Sequence, residues 1–160
     1  MAVTSTPKIT SLAKQITADF PHITFAQGTD FRWAPTEQTI YHPKIQTTDH
    51  LRQLLHEVGH ALLGHATYPS DVELLNMERE AWRHAAQTLA PRYGVTLDME
   101  SEIVRESLDS YSYWLSARST CPHCQAIGTA QGDNSYRCLV CQQVWRVNDA
   151  RTCQLRRYKK

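Results

Sequence analysis

Four of the five cysteines, Cys121, Cys124, Cys138 and Cys141, fall into two CxxC pairs separated by 13 residues. A thiolate pair at that spacing grips one metal ion from a single tight turn, and two pairs close a tetrahedron. Gly128, Gly132, Asp133 and Asn134, between the pairs, supply the turn chemistry of a hairpin. The expectation for residues 119–160 is a zinc ribbon, two knuckles joined by a hairpin. A segment of about 40 residues cannot bury enough apolar area alone, so a structural zinc would be part of its folding. Four thiolates leave no position for water. A redox role is the other use of CxxC, and two such pairs in one short basic segment argue against it. His123 lies between ligands as a bystander, and Cys153 is left over.

The remaining residues, 1–118, are enough for one packed domain but not two. At 41% hydrophobic and 21% charged, the 160-residue chain has the composition of a globular protein rather than a disordered one. No apolar run approaches the roughly 20 residues of a membrane span. The start, MAVTSTPKIT, has neither a basic nor an apolar leader region, so the expected location is the cytoplasm, with no membrane partner. The net charge of +1 hides an asymmetry: residues 1–118 hold 10 basic and 14 acidic side chains, net −4, and residues 119–160 hold 7 and 2, net +5. The sign changes where the cysteines begin, which suggests two units with different partners.

Ile9, Leu12, Ile16 and Phe20 have helical spacing over 8–19. Ile23, Phe25, Phe31, Trp33, Ile40 and Tyr41, set among Gly28, Asp30, Pro35 and Pro43, read as short strands of a small sheet. Thr47 or Thr48 can cap a second helix whose apolar stripe is Leu51, Leu54, Leu55, Val58, Leu62 and Leu63, ending near Gly64. A third helix is expected from Asp71 to about Leu89, stopped by Pro91, and a fourth from Asp98 to about Ala117. Helix, short strands, then three helices predict an α+β fold: a small sheet beside a helical domain, followed by the ribbon.

The second helix carries HEVGH, residues 56–60. His56 and His60 are four apart, one turn from each other on one face, so both can reach one metal ion. Glu57 projects beside them, placed to touch water at the metal rather than the metal itself. This is the arrangement of a zinc hydrolase, which keeps three protein ligands and leaves the fourth position open.

The third ligand must lie elsewhere. His65 does not fit the metzincin spacing, which puts Gly three and His six residues past the second His; here Gly64 and His65 stand at four and five. A continued helix would also turn His65 about 140° away from His60. On a wheel for the third helix, Leu74, Leu75, Ala81, Trp82, Ala85 and Leu89 all fall within about 60° of Glu78. Glu78 is thus a carboxylate inside an apolar stripe, where a metal is one of few favourable partners. A buried salt bridge to Arg52 or Arg105 is the alternative. Glu80, about 160° away, reads as solvated beside Arg83 or His84.

HEVGHALLGH followed by EREAWRHAAQTLAP resembles the ImmA/IrrE family of metallopeptidases, over roughly residues 10–95. The family carries HExxH and then a helix of the form E-x-x-A-N-x-F-A ending in Pro. The resemblance implies a gluzincin-like site in which the first Glu of that helix, here Glu78, is the third zinc ligand. Trp82 and His84 stand where the family usually has Asn and Phe. It further implies cleavage of a regulatory, often DNA-binding, protein.

The expected activity is therefore that of a zinc-dependent endopeptidase acting on a protein or peptide substrate. His56, His60 and Glu78 hold a catalytic zinc, and Glu57 is the general base. His65, Tyr68, His84, Tyr111 and Tyr113 are candidate donors to the oxyanion. Basic residues interleaved with aromatics near the knuckles, with Arg137, Arg146, Arg151, Arg156 and Arg157 foremost, suit DNA, a DNA-bound repressor or an acidic protein surface. Two alternatives stay open. One is similarity to SprT and Spartan proteins, DNA-associated metalloproteases that pair HExxH with a zinc ribbon but use a downstream His. The other is a non-catalytic, zinc-stabilised regulator that binds nucleic acid or protein.

Overall fold

Helix α1 (Thr6–Asp19) buries Ile9 and Ile16 and stops before Phe20-Pro21, where the proline disfavours helical geometry in the residue ahead of it. The computed structural model describes residues 6–68, 70–148 and 157–159. The chain divides into two compact units, Met1–Thr67 with Asn76–Arg105, and Tyr68–Leu75 with Glu106–Lys160.

In the first unit, β1 (Thr24–Gln27), β2 (Arg32–Ala34) and β3 (Thr39–His42) form a sheet of order β1-β3-β2. The central strand β3 pairs parallel with β1 and antiparallel with β2, and carries the fully buried Ile40. A single 3₁₀ turn, Pro35–Glu37, joins β2 to β3. Strand β2 is therefore an edge. Helix α2 (Thr48–Leu62) starts at the N-cap Thr47, whose Oγ1 accepts from the His50 backbone N–H at 3.1 Å. Its predicted stripe is buried through Leu51, Leu54, Leu55 and Val58, while Leu62 and Leu63 at its end are exposed.

Helix α3 (Asp71–His84) does not stop at Pro91. It widens into a π turn, Ala85–Leu89, and resumes for one helical turn, Ala90–Arg92. That register change places Pro91 at the start of the resumed turn, where its missing N–H costs no helical bond. Helix α4 (Glu102–Ser119) begins later than the sequence suggests. Asp98 spends its side chain on the Glu100 N–H, and Ser101 supplies the carbonyl that accepts from Val104 and Arg105.

The second unit holds an antiparallel sheet in sequence order, β4 (Gly128–Gly132), β5 (Ser135–Cys138), β6 (Val144–Val147) and β7 (Arg157–Lys159). Asp133 and Asn134, both at positive φ (48° and 56°), form the two-residue turn between β4 and β5 that matches strand twist. Cys121, Tyr136, Cys138, Trp145 and Val147 make the core, with the Tyr136 and Trp145 rings stacked 5.7 Å apart. Gly128 is required here: a Cβ would sit 2.3 Å from Trp145 Cη2. Trp145 Nε1 donates to the Arg118 carbonyl at 3.1 Å, and the Tyr136 hydroxyl donates to Asp71 Oδ2 at 2.9 Å.

Among the described residues, four helices and two small sheets make a mixed fold compatible with α+β, with the cluster of four cysteines near the C-terminus. Among the described residues no helix is long and apolar enough to cross a membrane.

Candidate metal centres

Among the described residues, two groups of side chains are arranged as potential metal sites: Cys121, Cys124, Cys138 and Cys141, and His56, His60 and Glu78. In the first group the sulfurs of Cys121 and Cys141 are 3.7 Å apart and those of Cys124 and Cys138 are 3.4 Å apart, too far for disulfides. A tetrahedron with metal–sulfur bonds of about 2.3 Å has edges of about 3.8 Å. The two knuckles repeat one geometry. The Cys121 N–H donates to Ala126 O and the Cys138 N–H to Gln143 O, each at 2.8 Å, and each knuckle is followed by a glutamine at positive φ, Gln125 and Gln142. Backbone N–H groups point at the leading sulfurs, His123 at Cys121, and Val140 and Cys141 at Cys138, all at 3.4 Å. The Cys141 N–H, aided by that of Val140 and opposed by burial, draws the Cys138 thiol down to about 6. The N–H groups thus favour thiolates at the two leading sulfurs, whereas at Cys141, against the Gln143 N–H, burial and the neighbouring sulfurs push the thiol up to about 12.

The second group is built across two helices. Gly59, inside HEVGH, lets α2 meet α3 closely, since a Cβ there would lie 2.8 Å from the Ala81 carbonyl oxygen. That approach brings Glu78, 3% exposed, up to the two histidines. His56 Nε2 is 3.1 Å from Glu78 Oε2, His60 Nε2 is 3.3 Å from Glu78 Oε1, and the two Nε2 atoms are 3.1 Å apart. Metal–ligand bonds of about 2.0–2.1 Å at tetrahedral angles give edges of about 3.3 Å.

With protons alone, each Nε2 can donate to its own oxygen of Glu78, but the 3.1 Å approach of the two Nε2 atoms to each other then carries no bond. If one donates to the other instead, a lone pair faces the carboxylate. One cation satisfies all three donors at once. Burial alone would push the Glu78 carboxyl up; the two imidazoles outweigh it and hold the group well below the usual carboxylate range. Arg52, a candidate counter-charge for Glu78 in the sequence, is occupied by Asp49 Oδ1 at 2.6 Å and the Thr96 carbonyl at 2.8 Å.

The surroundings of the two histidines differ. The His56 ring stacks on Trp82 with centroids 4.1 Å apart, and its Nδ1 is buried without a hydrogen-bond partner among the described residues. His60 Nδ1 lies 2.9 Å from Nδ1 of His65, whose Nε2 is 3.4 Å from Glu80 Oε2. Burial and the charge of His60 push the His65 imidazole down, against the pull of Glu80. Glu80 thus turns to His65 rather than to Arg83 or His84.

Glu57 is outside the triangle and buried, at 8% exposure. Its Oε2 accepts from the backbone N–H of Trp33 on the edge strand β2 at 2.7 Å, and Trp33 Nε1 donates to the His65 carbonyl at 2.9 Å. Trp33 reads in the sequence only as a strand residue; no motif announces a backbone amide. Of the candidate oxyanion donors, His65 is engaged with His60, while Tyr68 and Tyr113 are exposed.

Strand register sorts the basic residues. Arg137 and Arg146, with the half-exposed Tyr158, alternate onto the face opposite Tyr136 and Trp145. Arg157 has the other parity and donates to the Ala117 carbonyl at the end of α4. Arg151, Arg156 and Cys153 lie outside the described residues.

Both donor groups are consistent with zinc. No protein-family model matches the chain, and no curated protein or solved structure matches it either.

Proposed function

We propose that this chain is a zinc-dependent endopeptidase of ImmA/IrrE type, with its catalytic ion on His56, His60 and Glu78 and a structural ion in a ribbon formed by Cys121, Cys124, Cys138 and Cys141. The observation that carries the reading is Glu57: a buried carboxylate on the same turn as the two histidines, outside the ligand triangle and held by the Trp33 amide. A purely structural site has no use for such a group. A zinc ion on three protein ligands supplies Lewis acidity, lowering the pKa of water to about 7 and polarising a carbonyl. Glu57, fixed through Oε2, keeps Oε1 to take a proton from the attacking water and return it to the leaving amine. Burial of the triangle keeps bulk water from competing for the same donors.

The similarity of HEVGH and the Glu78 helix to that family supports a regulatory protein as substrate. Participation of Glu78 favours this reading over a SprT-like one, which needs a further histidine. The outer face of the ribbon sheet, with Arg137, Arg146 and Tyr158 exposed, is the surface we assign to DNA, the partner whose phosphates and bases suit that pairing of side chains.

The deciding experiment is Glu57→Gln. Cleavage of a random peptide library, followed by mass spectrometry, should fall at least about 100-fold, as expected for loss of a general base. Metal content should stay at the parent value. Parent and variant cleaving alike, or neither cleaving while both are fully loaded with zinc, would remove the peptidase mechanism.

A further inference from the structure

Helix α2 ends in a turn that folds its C-terminus back on itself. Gly64 takes φ +68°, a conformation open to glycine, and the His65 N–H then donates to the His60 carbonyl at 3.0 Å. A helical wheel points His65 away from His60; the reversal after Gly64 brings the two imidazoles together, Nδ1 to Nδ1 at 2.9 Å. Trp33 Nε1 fastens the His65 carbonyl from the edge strand at 2.9 Å, so the residue is held at both ends of its backbone.

We infer that His65, backed by Glu80, is the positioning residue of the candidate catalytic metal centre, fixing the tautomer and ring orientation of His60. The inference rests on the metal-site reading above. His60 presents Nε2 to His56 and Glu78, so as a ligand through that atom it carries its proton on Nδ1. That N–H faces His65 Nδ1, which must be the acceptor and so carries no proton. The single proton of a neutral His65 then sits on Nε2, the atom facing Glu80 Oε2 at 3.4 Å. A carboxylate at the end of the series favours that placement in both rings. This is the carboxylate–histidine–metal arrangement lengthened by one imidazole, and it serves His60 and not His56, whose Nδ1 has no such partner among the described residues.

The test is cobalt(II) titration of the full chain with its cysteine site filled by zinc. Cobalt on nitrogen and oxygen donors lacks the sulfur-to-metal charge-transfer band of a thiolate site, so the two centres are read separately. The parent should bind cobalt at a thiolate-free site that disappears in Glu78→Ala. If it does not, the metal-site reading itself fails, and this inference with it. If it does, His65→Ala should weaken cobalt binding about 10–100-fold. His65→Asn should recover most of the loss, because the Asn carboxamide oxygen can accept from His60 Nδ1.

Glu80 has a side chain 58% exposed, so Glu80→Ala tests the relay without threatening the fold. It should weaken binding in the parent but have no further effect in His65→Asn, where nothing reaches Glu80. Parent-like affinity in both His65→Ala and Glu80→Ala, or His65→Asn as weak as His65→Ala, would overturn the assignment and leave the metal site standing.

Discussion

The two donor groups are assembled by opposite routes. The four cysteines come from one stretch, 121–141, and each knuckle organises its own leading sulfur with backbone N–H groups two or three residues away. The His56–His60–Glu78 triangle joins two helices across 22 residues of sequence and exists only because Gly59 lets them touch. A local site depends on its turns, whereas a distributed site depends on the packing of everything between its parts. The first has four donors and the second three.

The largest effect should come from attacking the local site. Cys138→Ser removes a sulfur from the small core that also contains Trp145. Zinc at that centre should be lost, together with the near-ultraviolet circular dichroism of the packed Tyr136 and Trp145 rings, because metal binding and folding are one event in such modules. An unchanged spectrum in the metal-depleted variant would show that the sheet holds itself together, and the contrast between the two sites would weaken.

Gly59→Ala probes the distributed site. The added methyl meets the Ala81 carbonyl, so α2 and α3 must separate, at a cost of about 1–3 kcal/mol in thermal or denaturant unfolding. Metal content should drop from about two ions per chain to about one, with the cysteine centre still filled. Retention of both ions would mean that the triangle tolerates helix movement and depends little on the packing of α2 against α3.

The smallest effect is expected on the ribbon's outer face. Arg137→Ala should weaken DNA binding modestly and reduce the salt dependence of affinity by about one unit of slope, as loss of one phosphate contact does. Arg157→Ala, on the other face, should leave that slope unchanged. Equal behaviour of the two variants, or no affinity for DNA at low salt, would remove DNA as the partner of this surface.

Legibility from sequence follows the same division. Both CxxC pairs and HEVGH are periodic, local signals, and the residues they name are the ones found together. Glu78 needs one further step, a carboxylate inside an apolar stripe, and α3, regular around it, places that carboxylate beside the two histidines. The wheel turns His65 away from His60 because it assumes that the helix continues. Gly64 carried the missing signal: a glycine at the end of a helix reverses the chain and returns the next residue to the last turn. Pro91 misled for a related reason, since a π turn just before it absorbs the broken register. The parallel pairing of β1 with β3 has no local signature in short strands. Arg157 could have been separated from Arg137 and Arg146 only with the strand register in hand.

The bond from Trp33 to Glu57 has a genetic consequence. Its donor is a main-chain amide, which every residue except proline would supply at position 33. Substitution scans would therefore score this position for its indole and overlook its amide. Replacing that peptide link with an ester, which removes the N–H and keeps the side chain, is the chemical edit that would expose its role. The carboxylate's orientation is thus protected from drift in the codon for residue 33 by being written into the backbone.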